Sequence, residues 1–371
     1  MNLRSALLMF VATSAFAAPQ APSAAPPAAA PAKPMAPAAA KAVARAPKVT
    51  LLPNGWRISP VGMHFTVGDL PMNMVISPDG DHVIVTNNGY SQPNLVIYDH
   101  TKQITRDRIA LESAWLGLAF HPDGKRLFSS GSAKNRVDEF AWDKATLKKT
   151  GEFALPKPAN DSFVGGLAVS PDGQRLYAVH VLGEKLHAID LATRAVVKSI
   201  DLPAEPYTVL VSQDSKTVYV SLWGGARVLV FNAEDLALKH EIEVGEHPNA
   251  LAFSKDGRRL FVACASTNAV WNVDLEKGYA TEQIGIAPFP NMPPGASPNA
   301  LDLSPDGKTL LVANADNNTV AVVEIEADGK GDLGDAALAT PQQVLRPQQP
   351  ALTQQVGRRQ LTHLLEAPKQ R

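Results

Sequence analysis

The stretch VISPDGDHVIVTNNG, residues 75–89, brings Asp79, Asp81, His82, Asn87 and Asn88 within fifteen residues. Carboxylates and an imidazole at that density suit the rim of a metal site or an acid–base pair. The same residue types equally suit a tight turn between two strands. There Pro presets one dihedral, Asp bonds nearby amides and Gly takes a positive φ. The choice depends on whether the pattern occurs once or many times. Other site chemistries have no residues to carry them: there is no Gly-rich phosphate loop, no paired-cysteine motif, no H-E-x-x-H and no G-x-S-x-G. No cofactor is therefore expected, and no metal set can be assigned. The single cysteine, Cys264, stands in the apolar run LFVACAS with no base beside it. That setting suits a buried, inert thiol, and a lone cysteine forms no internal disulfide.

The pattern recurs. It returns as LAFHPDGKRLFSSG (118–131), LAVSPDGQRLYAVH (167–180), VLVSQDSKTVYVSL (209–222), LAFSKDGRRLFVAC (251–264) and LDLSPDGKTLLVAN (301–314). The six turn aspartates, Asp79, Asp123, Asp172, Asp214, Asp256 and Asp306, are spaced by 44, 49, 42, 42 and 50 residues. That is the period of a four-stranded propeller blade. Pro71, Pro206, Pro248 and Pro298 stand eight residues before their aspartates, and Asp99, Asp143, Asp190, Asn232, Asp274 or Glu324 closes a second apolar run after them. Each unit reads as strand, turn, strand, loop, strand, with a fourth strand leading onward. Alternating Val, Ile, Leu, Phe and Tyr supply the period of two that strands require. The expected fold is all-β, a β-propeller of four-stranded antiparallel blades with six repeats. Six copies of one aspartate are turn formers, so Asp79 serves its turn, with Asp81 and His82 as surface neighbours.

Ligands of propellers usually bind at the mouth of the central channel, on loops entering the innermost strands and loops between second and third strands. The first set offers Asn73, Trp115, Tyr207, His247, Asn249 and Asn299. The second offers Asn87, His180 and Asn314, with Trp223 nearby. Amides, imidazoles and aromatics together suit a sugar, a peptide end or a metal, although Asn is also a common turn former. Glu205 and Glu246 are the acidic residues best placed to join them.

Lys plus Arg (35) nearly cancels Asp plus Glu (36), and the basic residues of ITRDRIA and GRRL fall on separate repeats. This gives no stripe for nucleic acid. Residues 1–17 carry Arg4, an apolar run and Ala15-Phe16-Ala17, the pattern of a secretory signal cleaved after Ala17. The mature protein is thus expected in the periplasm or outside the cell, with no transmembrane segment. Residues 18–48, almost wholly Ala and Pro, read as a disordered linker. The propeller spans 49–328, and 329–371 reads as a flexible tail in which only RRQLTHLLEA (358–367) suggests a helix. The segment GMHFTVGDLP (62–71) matches KHEIEVGEHP (239–248), a fourth strand, so the ring is expected to close by lending this segment to the last unit.

The S-P-D-G turns followed by LYAV, LLVAN or VIVTNN resemble the YVTN-repeat, YncE-like propellers over residues 49–328. The segments at 52–80, 85–99 and 312–325 resemble the N-terminal propeller of proteins that fuse such a domain to an alkaline-phosphatase-type phosphoesterase. The resemblance implies a propeller, commonly of seven blades, and a phosphoesterase chain as one partner. Nothing after residue 325 resembles the phosphoesterase itself, so its chemistry transfers to no residue here. The functional expectation is an exported, non-catalytic scaffold for a small molecule or periplasmic protein. A lactonase-type propeller hydrolase and an accessory or truncated part of a phosphoesterase system are the alternatives.

Overall fold

The computed structural model describes residues 50–51, 57–58, 65–158, 161–287, 293, 295–317, 319–325 and 342–343. The expected signal peptide, the Ala/Pro linker and the helix at 358–367 lie outside the described residues. Six four-stranded antiparallel sheets follow one another in a ring. The innermost strands are Pro71–Ile76, Leu118–Phe120, Val164–Val169, Pro206–Val211, Pro248–Phe253 and Pro298–Leu303. Each pairs with the strand after its Asp-Gly turn, as in Met74↔Val85 and Val209↔Val220. Blades 1 to 6 are numbered from these inner strands. Four inner strands open on a proline, where no ladder donor is lost.

Turn chemistry explains why the chain reverses where it does. In blades 3 to 6 a serine two residues before the aspartate donates its hydroxyl to the carboxylate at 2.5–2.6 Å, and Ser77 does so to Asp79 in blade 1. In all six turns the carboxylate accepts the amide two residues on, at 2.8–3.1 Å. The next backbone position is left-handed: Gly80 has φ +77° and Gly173 +72°, and Ser215 takes +60° in the one turn without glycine. The turn function of the six aspartates is borne out.

The core lies between blades. Five apolar clusters join blades 1–2, 2–3, 3–4, 4–5 and 5–6. Second and third strands are buried on both faces, as in Arg175–His180, while outer strands such as Ala195–Asp201 are largely solvated.

Two expectations about the termini change. The outer strand of blade 6 is Gln342–Gln343, pairing Val322↔Gln342 and Ala321↔Gln343, so part of the stretch read as a tail adds a strand. The segment expected to supply that strand instead runs over blade 1. There Phe65 stacks on Tyr98 (centroids 3.5 Å apart), and Arg108 donates to the carbonyls of Val67 and Thr66 at 2.5 and 3.3 Å. An aromatic stack and a guanidinium fork hold it there. Thr50–Leu51 and Arg57–Ile58 pair as a two-stranded antiparallel sheet. Among the described residues, no helix is long and apolar enough to cross a membrane.

Candidate functional site

The inner-strand residues fall into two groups by what their polar atoms do. Asn73 and Asn249 are clasps between blades: Asn73 Nδ2 donates to Leu116 O at 2.6 Å, and Asn249 Nδ2 to Pro298 O at 2.9 Å. Trp115, by contrast, is half-buried, and its indole N–H is buried with no acceptor. Phe163 of the neighbouring blade packs on its ring at 4.9 Å between centroids. His247, at φ +56°, lies on Trp223 with centroids 4.1 Å apart and shares a 2.5 Å hydrogen bond between Nδ1 and Ser266 Oγ. Tyr207 is half-buried, and burial raises its phenol pKa above the ordinary value. Asn299 is exposed and has no hydrogen-bond partner among the described residues.

The residues ending the second strands turn inward. Asn87 is buried and donates to Val67 O at 3.2 Å and Asn94 Oδ1 at 3.1 Å; Asn314 donates to Thr319 Oγ1 at 3.3 Å. His180 is fully buried in a chain of hydrogen bonds: Asn135 Oδ1 at 3.0 Å, His187 Nε2 at 2.8 Å, and from His187 Nδ1 to Ser199 Oγ at 2.8 Å. Asn135 Nδ2 donates to Ala133 O, which directs Oδ1 at His180. His180 Nε2 is therefore the donor, its Nδ1 accepts from His187 Nε2, and His187 Nδ1 accepts the serine hydroxyl. Burial lowers both imidazoles to a pKa of about 4, helped by Lys185 and, for His187, by His180. Sequence reading found His180 and missed His187. The signal lay in strand register: Ala178 pairs with His187 and His180 with Lys185, which makes the histidines diagonal neighbours on one face.

The opposite, turn-bearing face holds a cleft between blades 1 and 2, of about 530 Å³, lined by Asp79, His82, Asp99, Lys102, Arg106 and Lys144 among others. His82 is no surface neighbour of its turn. It is buried, with Nδ1 3.6 Å from Asp79 and Nε2 3.8 Å from Asp99, and neither nitrogen is hydrogen-bonded. Its position opens the second strand, where the other blades carry Arg126, Arg175, Thr217, Arg259 and Thr309. A side chain there reaches back across the blade rather than out to water. Burial alone raises the Asp99 pKa, but bonds from Lys102 and Arg106 prevail and lower it to about 2. Asp99 and its two cations form a satisfied structural network.

Cys264 is buried, and burial raises its thiol to about 12, which fits the inert reading. No group of three or more His, Cys, Asp or Glu side chains that could hold a metal occurs among the described residues.

The sequence model of the YNCE-like beta-propeller family matches residues 4–330. A curated relative, Antigen Lp49 of Leptospira interrogans serogroup Icterohaemorrhagiae serovar copenhageni (strain Fiocruz L1-130), is 25% identical over 142 residues, 36% of this chain and 29% of its own length. The alignment thus spans less than a third of that relative. Solved structures of similar fold include a protein of unknown function from Desulfotomaculum acetoxidans DSM 771, at 16% identity and TM-score 0.54, covering 63% of this chain and 72% of that one. Kuenenia stuttgartiensis hydrazine synthase aligns at 18% identity and TM-score 0.56, covering 71% and 79%. A "putative 6-phosphogluconolactonase" from Bacteroides fragilis NCTC 9343 aligns at 17% identity and TM-score 0.59, covering 79% and 87%. At these identities the solved structures share the fold alone.

Proposed function

We propose that this chain, which belongs to the YNCE-like β-propeller family, is an exported, non-catalytic binding module. Its ligand docks on the loop face where the inner strands begin. The observation that supports this reading is the indole N–H of Trp115, buried without an acceptor beside the Phe163 ring. An unpaired buried donor costs about 1–3 kcal/mol, which a ligand acceptor placed there removes. The stacked Trp223–His247 pair adds an aromatic surface. Aromatic faces with a few directed polar groups suit a small ligand rich in acceptors, such as a saccharide or a peptide end. Asn73, Asn249 and His180 spend their side-chain polar atoms within the fold, and Asn87 and Asn314 are held through their Nδ2 groups, their Oδ1 atoms being buried without a donor. Trp115, Tyr207, His247 and Asn299 would touch the ligand.

Isothermal titration with a panel of soluble oligosaccharides and short peptides tests the reading. Trp115→Phe keeps an aromatic ring and deletes the donor, so affinity should fall about tenfold with thermal stability little changed, the lost ring volume offsetting the removal of an unpaired donor. Binding indifferent to both Trp115→Phe and His247→Ala would move the site elsewhere. Turnover of a lactone by the pure protein would replace the binding-module reading with the hydrolase one, which now has likeness of fold alone. Export is checked by cell fractionation and N-terminal sequencing, with Ala18 the expected first residue.

A further inference from the structure

The cleft on the turn-bearing face between blades 1 and 2 has a cause in the sequence. In blade 3 the residue that opens the second strand is Arg175. Its guanidinium donates across the seam to Ala233 O at 3.0 Å and Glu234 O at 2.6 Å in blade 4. Those carbonyls belong to residues 233–237, five residues between the third and fourth strands. In blade 1 the same register holds His82, a shorter side chain. In blade 2 the matching loop is only Lys144 and Ala145, a hairpin turn with both residues left-handed at φ +44° and +70°. Blades 1, 3 and 5 use four residues there. A shorter side chain facing a shorter loop opens the cleft of about 530 Å³.

The polar groups lining it divide into those the fold has paired and those it has not. Asp99 is tied to Lys102 and Arg106 at 3.2 and 2.9 Å. Asp79 holds its own turn through Ser77 and the Asp81 amide, and Asp107 accepts the amide of Arg108. Three lining groups are left. The Asp81 carboxylate and the Lys144 ammonium are exposed, with no hydrogen bond or ion pair among the described residues. His82 is 8% exposed, its ring edge-on to Trp142 with centroids 5.6 Å apart, and neither nitrogen has a hydrogen-bond partner. Leaving a buried polar atom unpaired is unfavourable, so the imidazole marks this cleft as a place for a polar ligand.

The charges decide which ligand. A bare anion such as phosphate would meet Lys144 but face four carboxylates, Asp79, Asp81, Asp99 and Asp107. A bare amine would meet Asp81 but face Lys102, Arg106 and Lys144. The two unpaired charges are one of each sign, and a neutral imidazole adds one donor and one acceptor. We propose that this cleft is a second ligand site, on the face opposite the loop mouth, and that it takes a small zwitterion of the amino-acid class. The ligand ammonium pairs with Asp81, its carboxylate with Lys144, and its body lies against the His82 ring. The volume falls within the range of small-molecule sites. None of these residues belongs to the loop-face site, so either site can fail without the other.

Isothermal titration of the full chain with the free amino acids, beside ethylamine, acetate and inorganic phosphate, tests the site. At least one amino acid should bind with a Kd of about 1 mM or below, and ethylamine and acetate should bind about tenfold more weakly or worse. Asp81→Asn and Lys144→Gln change exposed side chains outside the core, and each should weaken the amino acid about tenfold. Trp115→Phe should leave this affinity unchanged. The His82 ring signals in the NMR spectrum should shift as the site saturates. No amino acid binding at about 10 mM overturns the inference. So does affinity that survives both substitutions, or a His82 signal that stays fixed at saturation. Phosphate binding more tightly than every amino acid would make the cleft an anion site and overturn it equally.

Discussion

The His180–His187 pair makes stability depend on pH in a way its geometry fixes. Both imidazoles are fully buried, and their single hydrogen-bond chain requires each ring to be neutral. Their folded pKa values are about 4 against an ordinary 6.5. A depressed histidine pKa means the unfolded chain takes up protons first. The stabilisation is therefore complete above pH 6.5 and drains away as pH falls from 6.5 towards 4. Between pH 7 and pH 5 each ring should cost about 2 kcal/mol, and the two together about 4 kcal/mol, near a thousandfold in the unfolding constant. The comparison protein is His180→Asn/His187→Gln, which keeps polar groups and removes the titration. Urea unfolding of both proteins at pH 7, 6 and 5 gives the assay, because every other titrating group cancels in the difference. The wild-type advantage over the double variant should shrink by about 4 kcal/mol over that range. A difference constant to within about 1 kcal/mol across the three pH values would refute the reasoning, since a buried neutral pair cannot be indifferent to protons that the unfolded chain binds.

Other outcomes follow from single contacts. Asn249→Ala removes the clasp to Pro298 O and leaves that carbonyl unpaired, so unfolding free energy should drop by about 1–2 kcal/mol in denaturant melts. Gly173→Ala puts a methyl 2.8 Å from the His121 ring at φ +72°, and should cost at least about 1–2 kcal/mol. Gly257→Ala, at φ +69° with open space around it, should lose only the conformational part and so be the milder change. Cys264, with its thiol pKa near 12, should resist thiol reagents at pH 8 in the native protein and react at once in denaturant. Labelling of the native state at the denatured rate would show that the blade 4–5 core opens freely.

The blade turns were legible because their chemistry is local. The aspartate, with a serine before it or a glycine after it, makes its bonds within a few residues of chain, so the motif carries its own structure wherever it falls. Six aspartate turns at blade spacing, four of them with both the serine and the glycine, determine with the strand-period apolar runs an all-β propeller without knowledge of any long-range contact. The inward fate of His82, His180 and Asn87 was not legible, because residue type at a strand end does not say whether a neighbouring blade or solvent meets it. Leu118 and Met74 make the same point: they hold the same register and similar apolarity, yet one is 5% and the other 63% exposed. The sequence by itself determined the repeat, its strands and its turns. Only the tertiary structure decided which faces of those repeats are covered, because burial belongs to a pair of surfaces, and one of them lies a blade away in the chain.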